Sequence, residues 1–208
     1  MLKHATNHIQ QRYPQAKTKI VTKDINRNFE LLTKSILEQS QTFDFNLNQL
    51  PEVNEFQTDI RQDKYFKEIF KELNKKEFNC LYWFEAESIE NATELNNLLD
   101  SKRKELKVNN RVVPVINKNL DSKIIYVGIR RGGKRKYDGL TNIAGRIIQH
   151  FGYYIKGSTQ GLQLIHWAEQ KNLNLKLNVV EFKELPNEYL NVVEKLVAYK
   201  LKPLCGKH

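Results

Sequence analysis

The run Cys80-Leu81-Tyr82-Trp83-Phe84 marks the point at which this 208-residue chain changes character. The run is short, apolar and aromatic, which is typical of a β-strand that is buried on both of its faces. The run Ile124-Ile125-Tyr126-Val127-Gly128 predicts a second buried strand for the same reason. Alternating apolar residues over 175–182 predict a third strand, and 111–116 is a weaker candidate that Pro114 interrupts.

Helical patterns separate the predicted strands. Apolar residues recur at helical spacing in four stretches after residue 78, which are 93–106, 140–151, 160–171 and 190–201. Thr141 or Asn142 would cap the second of these helices, and Gly152 would end it. The sequence therefore predicts an α/β (α+β) fold in which a small central sheet of three strands is flanked by helices.

Positive charge is concentrated in one part of the chain. The net charge is +10, and residues 123–156 contribute eight Lys and Arg side chains against a single Asp. A concentrated positive field suits a polyanion, of which nucleic acid is the commonest. A generally basic surface is the alternative interpretation of the same count.

The composition excludes several other classes of protein. With 40% hydrophobic residues the chain is not wholly disordered, and it has no 18-residue apolar run that would span a membrane. Its first residues lack the apolar segment of a secretory signal. Cys80 and Cys205 form no CxxC pair, so neither a disulfide framework nor a zinc site is expected. These features predict a location in the reducing cytoplasm.

Residues 1–78 are predicted to form an N-terminal helical region. Apolar residues share one helix face over 25–36, where Asp24 is a candidate cap, and again over 66–73. A polar stretch, 39–54, lies between them. No motif assigns a role to this region, so a DNA-clamping arm, a dimerisation element and a support for the sheet remain open.

One carboxylate falls in an unexpected place in the last predicted helix. At about 100° per residue from Leu190, Glu194 lies at about 40°. That angle is inside the apolar stripe that also contains Val193, Val197 and Leu201. A buried carboxylate without a partner is costly, so we expect an Arg, a hydrogen-bond network or a divalent metal ion beside it.

The helix predicted over 140–151 carries a second unusual pair. Arg146 and His150 are four residues apart and share a face. Such a pair can bind and orient a phosphate and move a proton. A surface cation and an ordinary half-buried histidine have the same spacing, and the tyrosines of the two buried strands are more often core residues than catalytic ones.

The loop before this helix is rich in Gly, Arg and Lys. Its backbone N–H and guanidinium groups could hold phosphates, or the loop could be a solvated turn. It is not a Walker loop, because GxxxxGK[ST] is absent. The residues that would contact DNA here are Arg130, Arg131, Lys134, Arg135 and Lys136.

In their order along the chain these pieces resemble the GIY-YIG nuclease superfamily, and most closely its type II restriction endonuclease branch. Cys80-Leu81-Tyr82 corresponds to the first triplet, and Tyr126-Val127-Gly128 corresponds to the second. The segment 144–150 corresponds to the family's helix with an Arg-x-x-x-His motif. Glu194 followed by 202–207 corresponds to the end of the domain. The resemblance covers 79–207.

This resemblance implies a nuclease domain over 79–208 with a mainly antiparallel sheet and an insertion at about 85–122. The first triplet lacks its Gly, and Gly206 stands where many members have Asn, so Lys207 or the end of the chain would take over a terminal contact with DNA. Restriction-type cleavage of both strands also makes a homodimer an expectation.

The resemblance further implies metal-dependent hydrolysis of DNA phosphodiester bonds. Glu194 would bind one divalent cation, Mg²⁺ or Mn²⁺. Tyr82 would act as general base toward the attacking water, with His150 helping to take the proton. Arg146 would stabilise the phosphate in the transition state, and Tyr126 would orient the nucleophile or a phosphate oxygen.

Two other functions remain open at this point. A catalytically inactive GIY-YIG-like module would bind DNA without cutting it, and Gly206 is the feature that favours it. A protein–protein scaffold would use Glu194 and Arg146 as a purely structural ion pair.

Overall fold

The computed structural model of the chain describes residues 15–53, 59–136, 138–153 and 160–207, with the backbone alone over 15–21. The start of the predicted N-terminal region, 1–14, therefore lies outside the described residues. In chain order the elements are α1 (Gln15–Glu38), β1 (Gln41–Asn46), α2 (Lys67–Leu73), β2 (Asn79–Ala86), α3 (Ile89–Val108), β3 (Ile124–Arg130), α4 (Asn142–Phe151), β4 (Asn174–Phe182) and α5 (Asn187–Leu201).

These strands form one sheet of order β1-β4-β2-β3, in which all neighbours are antiparallel. β2 is an inner strand, and its Tyr82 lies opposite Gly128 on β3 and Val179 on β4. The predicted α+β class, with helices around an antiparallel sheet, is confirmed. The predicted number of three strands is wrong, because β1 is a fourth.

β1 lies in the region that was predicted to be helical with a polar connection. Phe43 and Phe45 are buried, whereas Thr42 and Asp44 are exposed. This alternation is typical of a strand with one face toward the core. It extends over only six residues among polar neighbours, which is too short to distinguish a strand from a polar loop by pattern.

Helices cover both faces of the sheet. On one face Phe45 and Phe84 pack with Phe70 of α2 and Phe151 of α4, so residues on both sides of position 78 share this core. The opposite face packs against α1 and α5 through a smaller cluster that includes Leu81, Trp83, Val127, Val193 and Val197. The central strand β2 is therefore buried on both sides, as predicted.

α3, α4 and α5 confirm three of the four helices predicted after residue 78. The fourth prediction, a helix over 160–171, is wrong, since only a 3₁₀ turn forms at Leu164–His166. Gln163 has a φ of 61°, in the left-handed region, which is incompatible with a continuing helix. The stretch 111–116 forms no regular strand, and only Ile116 makes an isolated bridge, to Cys205.

α1 begins well before Asp24, so this residue lies inside the helix and does not cap it. Ile36 is buried, but Ile25, Phe29 and Leu32 are 44%, 42% and 44% exposed. The predicted apolar stripe is thus well buried only at its C-terminal end. Among the helices of the described ranges, none combines the length and apolarity that a membrane crossing needs.

Candidate active site

Two tyrosines meet on one face of the sheet because Gly128 lies between them. Tyr82 is directly opposite Gly128, and Tyr126 precedes Gly128 by two residues, so both phenols point to the same face. A Cβ at position 128 would lie 2.6 Å from Tyr82 Oη and 2.7 Å from Tyr126 Cε1. A side chain at this position would therefore displace at least one of the two rings, whose centroids are 6.2 Å apart.

α4 places Arg146 and His150 over the same face. Thr141 caps the helix through its side chain, and Gly152 ends it with a φ of 104°, both as predicted. Arg146 Nε donates a hydrogen bond to Tyr82 Oη at 3.0 Å. His150 Nε2 lies 2.9 Å from the same oxygen. The tyrosine of an inner strand and two residues of α4 thus form one contact cluster.

Arg146 is a partly buried cation whose hydrogen-bond partners in the structure are uncharged. Besides Tyr82, it donates to Gln149 Oε1 at 3.1 Å, to the Gln160 carbonyl oxygen at 2.6 Å and to Tyr126 Oη at 3.5 Å. Burial alone lowers the pKa of Arg146, but the two phenol oxygens outweigh it and the net shift of the pKa is upward. None of these partners neutralises the cation, so the site favours an anion such as a phosphate.

His150 is completely buried within the cluster. Its Nδ1 accepts a hydrogen bond from the Leu162 N–H at 3.1 Å. Its ring centroid lies 4.8 Å from that of Tyr126 and 5.2 Å from that of Phe84. Burial and then the charge of Arg146 hold the pKa of His150 well below its usual range, so the imidazole is neutral at physiological pH.

The two phenols differ in their access to solvent. Tyr82 is fully buried, whereas Tyr126 keeps part of its surface exposed. Burial and then the neighbouring Tyr82 raise the pKa of Tyr126, Arg146 opposes this shift, and Glu194 adds to it. Tyr126 therefore stays protonated at neutral pH and can donate a hydrogen bond to an anion at the edge of the cluster.

Glu194 approaches the cluster from α5. This helix packs against β3, which is an edge strand of the sheet. The side chain of Glu194 is half-buried next to the buried Val193 and Val197, so it lies at the border of the apolar stripe. Its charge contributes to the raised pKa of Tyr126, which puts the carboxylate within electrostatic range of that phenol.

Glu194 is also the predicted metal ligand. Over the described ranges, no group of three or more His, Cys, Asp or Glu side chains is placed to hold a metal ion. The chemistry of a single carboxylate nevertheless fits Mg²⁺. This ion keeps water ligands and commonly binds through one or two carboxylates together with substrate phosphate oxygens.

Two of the predicted DNA-binding residues are ion-paired within the protein. Lys134 Nζ lies 2.6 Å from Glu77, and Arg135 lies 3.0 Å from Asp138. Arg135 also lies across α4 at Gly145, where a Cβ would collide with its guanidinium group. These two cations therefore hold the basic loop in place as well as contributing charge.

The other basic residues of the loop are arranged differently. Arg130 is exposed, yet partial burial and then the charge of Arg146 lower its pKa, so the two guanidinium groups are close enough to repel each other. Arg131 and Lys136 are exposed as well. A cavity of about 370 Å³ is lined by Ile129, Arg130, Arg131, Asn142, Asn187, Leu190 and Asn191.

Lys207 lines a separate cavity at the end of α5 and is not brought to this loop.

The C-terminal segment runs beside Tyr126. Cys205 forms a backbone bridge with Tyr126, and the Gly206 N–H donates to the Val115 carbonyl oxygen at 2.8 Å. Gly206 has a φ of 125°, a conformation that L side chains rarely adopt. Gly206 therefore adopts a backbone conformation that favours glycine over the Asn that many GIY-YIG nucleases have at the corresponding position.

Three groups of the cluster were not predicted from the sequence. Gln149 could have been found, because it lies three residues after Arg146 on the same helix. The carbonyl group of Gln160 and the N–H group of Leu162 are backbone groups, which carry no sequence signal. They reach α4 because the stretch that contains them is not helical.

Comparison of the chain with protein-family models, with curated proteins and with solved structures found no match. The functional conclusion therefore depends on the geometry and charge of the cluster described above.

Proposed function

We propose that this protein is a divalent-metal-dependent endonuclease that hydrolyses DNA phosphodiester bonds through a GIY-YIG-like active site, with a restriction-type role. The observation that carries the proposal is the meeting of Arg146 and His150 on the phenol oxygen of Tyr82. Tyr126 lies beside them, and Glu194 is within electrostatic range of Tyr126. Because a single site cuts one strand, double-strand cleavage would use a homodimer.

Arg146 is proposed to bind the scissile phosphate. Its positive charge is held at the cluster by four uncharged hydrogen-bond partners, which leaves it available to attract an incoming phosphate. A guanidinium fixed in advance stabilises the charge that develops on the phosphate oxygens in the transition state. Tyr126, with its protonated phenol, would donate a second hydrogen bond to the phosphate or orient the attacking water.

Tyr82 is proposed to lose its phenol proton to solvent and then, as a phenolate, to accept the proton of the attacking water. Two nitrogen atoms lie within 3.0 Å of its oxygen, and donors at this distance stabilise negative charge there. The full burial of Tyr82 means that the water must enter together with the substrate. Catalytic hydrogen bonds often form only in the complex, so the geometry of the free protein is compatible with this role.

Glu194 would hold Mg²⁺ or Mn²⁺ together with water and a substrate phosphate oxygen. When bound, such an ion supplies positive charge that polarises the phosphate. The contribution of Glu194 itself is a hard, half-buried carboxylate ligand near Tyr126.

The exposed cations of the basic loop would hold the DNA backbone. Arg130 and Arg131 line the cavity at the end of β3, and Arg130 feels the charge of Arg146. A DNA strand that crosses this loop would therefore pass from exposed cations to the buried one. Binding through phosphates would make the affinity strongly dependent on salt.

A DNA-binding module without cleavage activity is the second candidate. The complete burial of Tyr82 favours it, because a phenol that solvent does not reach also serves as a structural hydrogen-bond acceptor in a core. In that case the cluster would position the basic loop and perform no chemistry.

Nicking of a supercoiled plasmid separates these candidates. The full chain should convert the plasmid to open or linear DNA with Mg²⁺ or Mn²⁺ and leave it intact in excess EDTA. Arg146→Ala should abolish cleavage, whereas Arg27→Ala removes an exposed charge on α1 and should preserve it. Retention of the plasmid on a gel without nicking would show a binding module, and neither retention nor nicking would favour a scaffold.

A further inference from the structure

The segment Gln160-Gly161-Leu162, here called the strap, forms hydrogen bonds with the cluster through its backbone. We infer that the strap locks His150 as a hydrogen-bond donor to Tyr82, so that His150 positions the phenol and does not accept its proton. The catalytic meaning of this inference rests on the proposed function, but the hydrogen-bond assignment does not.

The first step is the proton on the imidazole ring of His150. The Leu162 N–H can donate only to a ring nitrogen that carries no proton, and it donates to Nδ1 at 3.1 Å. A neutral imidazole with a bare Nδ1 carries its proton on Nε2. Since Nε2 lies 2.9 Å from Tyr82 Oη, the hydrogen bond runs from His150 to the phenol oxygen.

The second step is the effect on Tyr82. Its oxygen accepts one hydrogen bond from the Arg146 Nε–H and one from the His150 Nε2–H. Neither Arg146 nor His150 can then accept the proton of the Tyr82 hydroxyl. Negative charge on the oxygen would be stabilised from two sides, which is the arrangement expected for a phenol that has lost its proton to solvent and acts as a phenolate base toward water.

The strap itself is held on both sides. The Gly161 N–H donates to the Val112 carbonyl oxygen at 3.0 Å, and the Gln160 carbonyl oxygen accepts from Arg146 at 2.6 Å. A Cβ on Gly161 would lie 2.8 Å from the Gln149 carbonyl oxygen. The strap therefore fits closely against the last turns of α4 and positions both Arg146 and His150.

The titratable and charged groups that the structure gives as neighbours of His150 are Tyr82 of β2, Tyr126 of β3 and Arg146 of α4. Burial raises the pKa of Tyr126, so that phenol is neutral in the free protein, and the Arg146 guanidinium is cationic. None of these neighbours favours a protonated imidazole in the free protein.

The tautomer can be read directly by NMR on the full chain. A long-range ¹H–¹⁵N correlation spectrum at neutral pH separates the two neutral tautomers and the imidazolium by their ring-nitrogen shifts. The chain has five histidines, and the signals of His150 are those that disappear in His150→Gln. We expect the form protonated on Nε2. The form protonated on Nδ1, or an imidazolium, would overturn the inference whether or not the protein cuts DNA.

Two substitutions test the donor role through cleavage. In His150→Gln the side-chain amide can donate a hydrogen bond near the position of Nε2 but cannot act as a base at neutral pH. We expect it to retain cleavage within about tenfold of the wild type, and His150→Ala to lose a further 10- to 100-fold, roughly the effect of one hydrogen bond to a charged group. Equal losses in both variants would contradict the donor role.

Gly161→Ala tests the strap. The added Cβ should push Leu162 away from His150, so we expect mixed tautomers in the spectrum and a cleavage rate reduced about 10-fold or more. Gly139→Ala strains the backbone, because Gly139 has a φ of 66°, but its Cβ meets no atom within 4 Å, so it is a control for backbone strain away from the strap and should leave the tautomer unchanged.

The outcomes remain distinguishable if one arm fails. If the wild type cuts no DNA, the proposed function fails, while the wild-type spectrum still decides the tautomer. If Gly161→Ala does not fold, the spectrum and the His150 pair still decide whether His150 is a donor. A Gly161→Ala protein that folds and keeps the wild-type spectrum would contradict the positioning role of the strap.

Discussion

Arg146 Nε lies 3.0 Å from Tyr82 Oη, although the two residues are 64 positions apart in the sequence. This hydrogen bond joins α4 to an inner strand of the sheet, and His150 contacts the same oxygen from the next turn of α4. The position of each group therefore depends on the others, and changes to any of them should affect both stability and the proposed chemistry.

Arg146→Lys tests the geometry of the guanidinium separately from its charge. Lysine keeps the charge but cannot donate from several fixed directions to Tyr82, Gln149 and Gln160. We expect the cleavage rate to fall about 10²- to 10³-fold, while DNA binding measured in EDTA changes little. Cleavage near the wild-type rate would contradict the proposed transition-state role.

Gly128→Ala tests the close approach of the two tyrosines. The new Cβ would lie 2.6 Å from Tyr82 Oη, so at least one ring must move. We expect the free energy of unfolding to fall by about 1–3 kcal/mol, as for overpacking in a core, and cleavage to be lost. Urea unfolding and plasmid nicking measure the two effects. A variant with unchanged stability would show that the cluster tolerates rearrangement.

Glu194→Gln tests the proposed metal ligand. The amide keeps the size of the side chain but binds Mg²⁺ or Mn²⁺ much more weakly, so cleavage should be abolished at low metal concentration. Because Glu194 is only half-buried, the thermal midpoint should change little. Glu188→Gln, an exposed change in the first turn of α5, is the control and should cut normally. Full cleavage by Glu194→Gln would remove this residue from the site.

Arg130→Ala combined with Arg131→Ala tests the basic loop. If each arginine contacts one phosphate, the slope of log K against log salt should decrease by about 2. Lys134→Ala should have a smaller effect, because Lys134 already pairs with Glu77 at 2.6 Å. Fluorescence anisotropy with a labelled duplex in EDTA gives both slopes. An unchanged slope in the double variant would show that the DNA follows another surface.

His150 makes stability depend on pH. Its pKa in the folded protein lies well below the ordinary value of 6.5, mainly because it is buried, so the unfolded chain binds a proton first as the pH falls. The stability that comes from the neutral imidazole is present above about pH 6.5 and decreases below it, by roughly 1.4 kcal/mol per pH unit.

His150→Gln should therefore show a weaker loss of stability between about pH 6.5 and pH 5 than the wild type. Urea unfolding at both pH values gives the comparison. His166 has a pKa lowered in the same direction, mainly by burial, and it remains in both proteins, so the difference between them reports His150. An identical loss in the two proteins would show that His150 is not neutral and buried as described.

The sequence by itself determined the elements that carry the candidate site. The apolar runs around Tyr82 and Tyr126 required strands with two buried faces, and the 3.6-residue period required a helix that presents Arg146 and His150 on one face. Residues that cap or end this helix could also be identified, because Thr141 and Gly152 act on backbone groups only a few positions away. These are local effects, which a linear pattern records.

The tertiary structure decided what these elements meet. β1 joins the sheet through a pairing with β4 that its short polar sequence does not reveal, and the stretch 160–171 departs from its predicted helical pattern because Gln163 has a left-handed backbone. The backbone groups that hold Arg146 and His150 are present in every residue, so only the fold determines which of them face the site. The cluster likewise depends on Gly128 lying opposite Tyr82, a register fixed by long-range pairing of strands and by packing on both faces of the sheet.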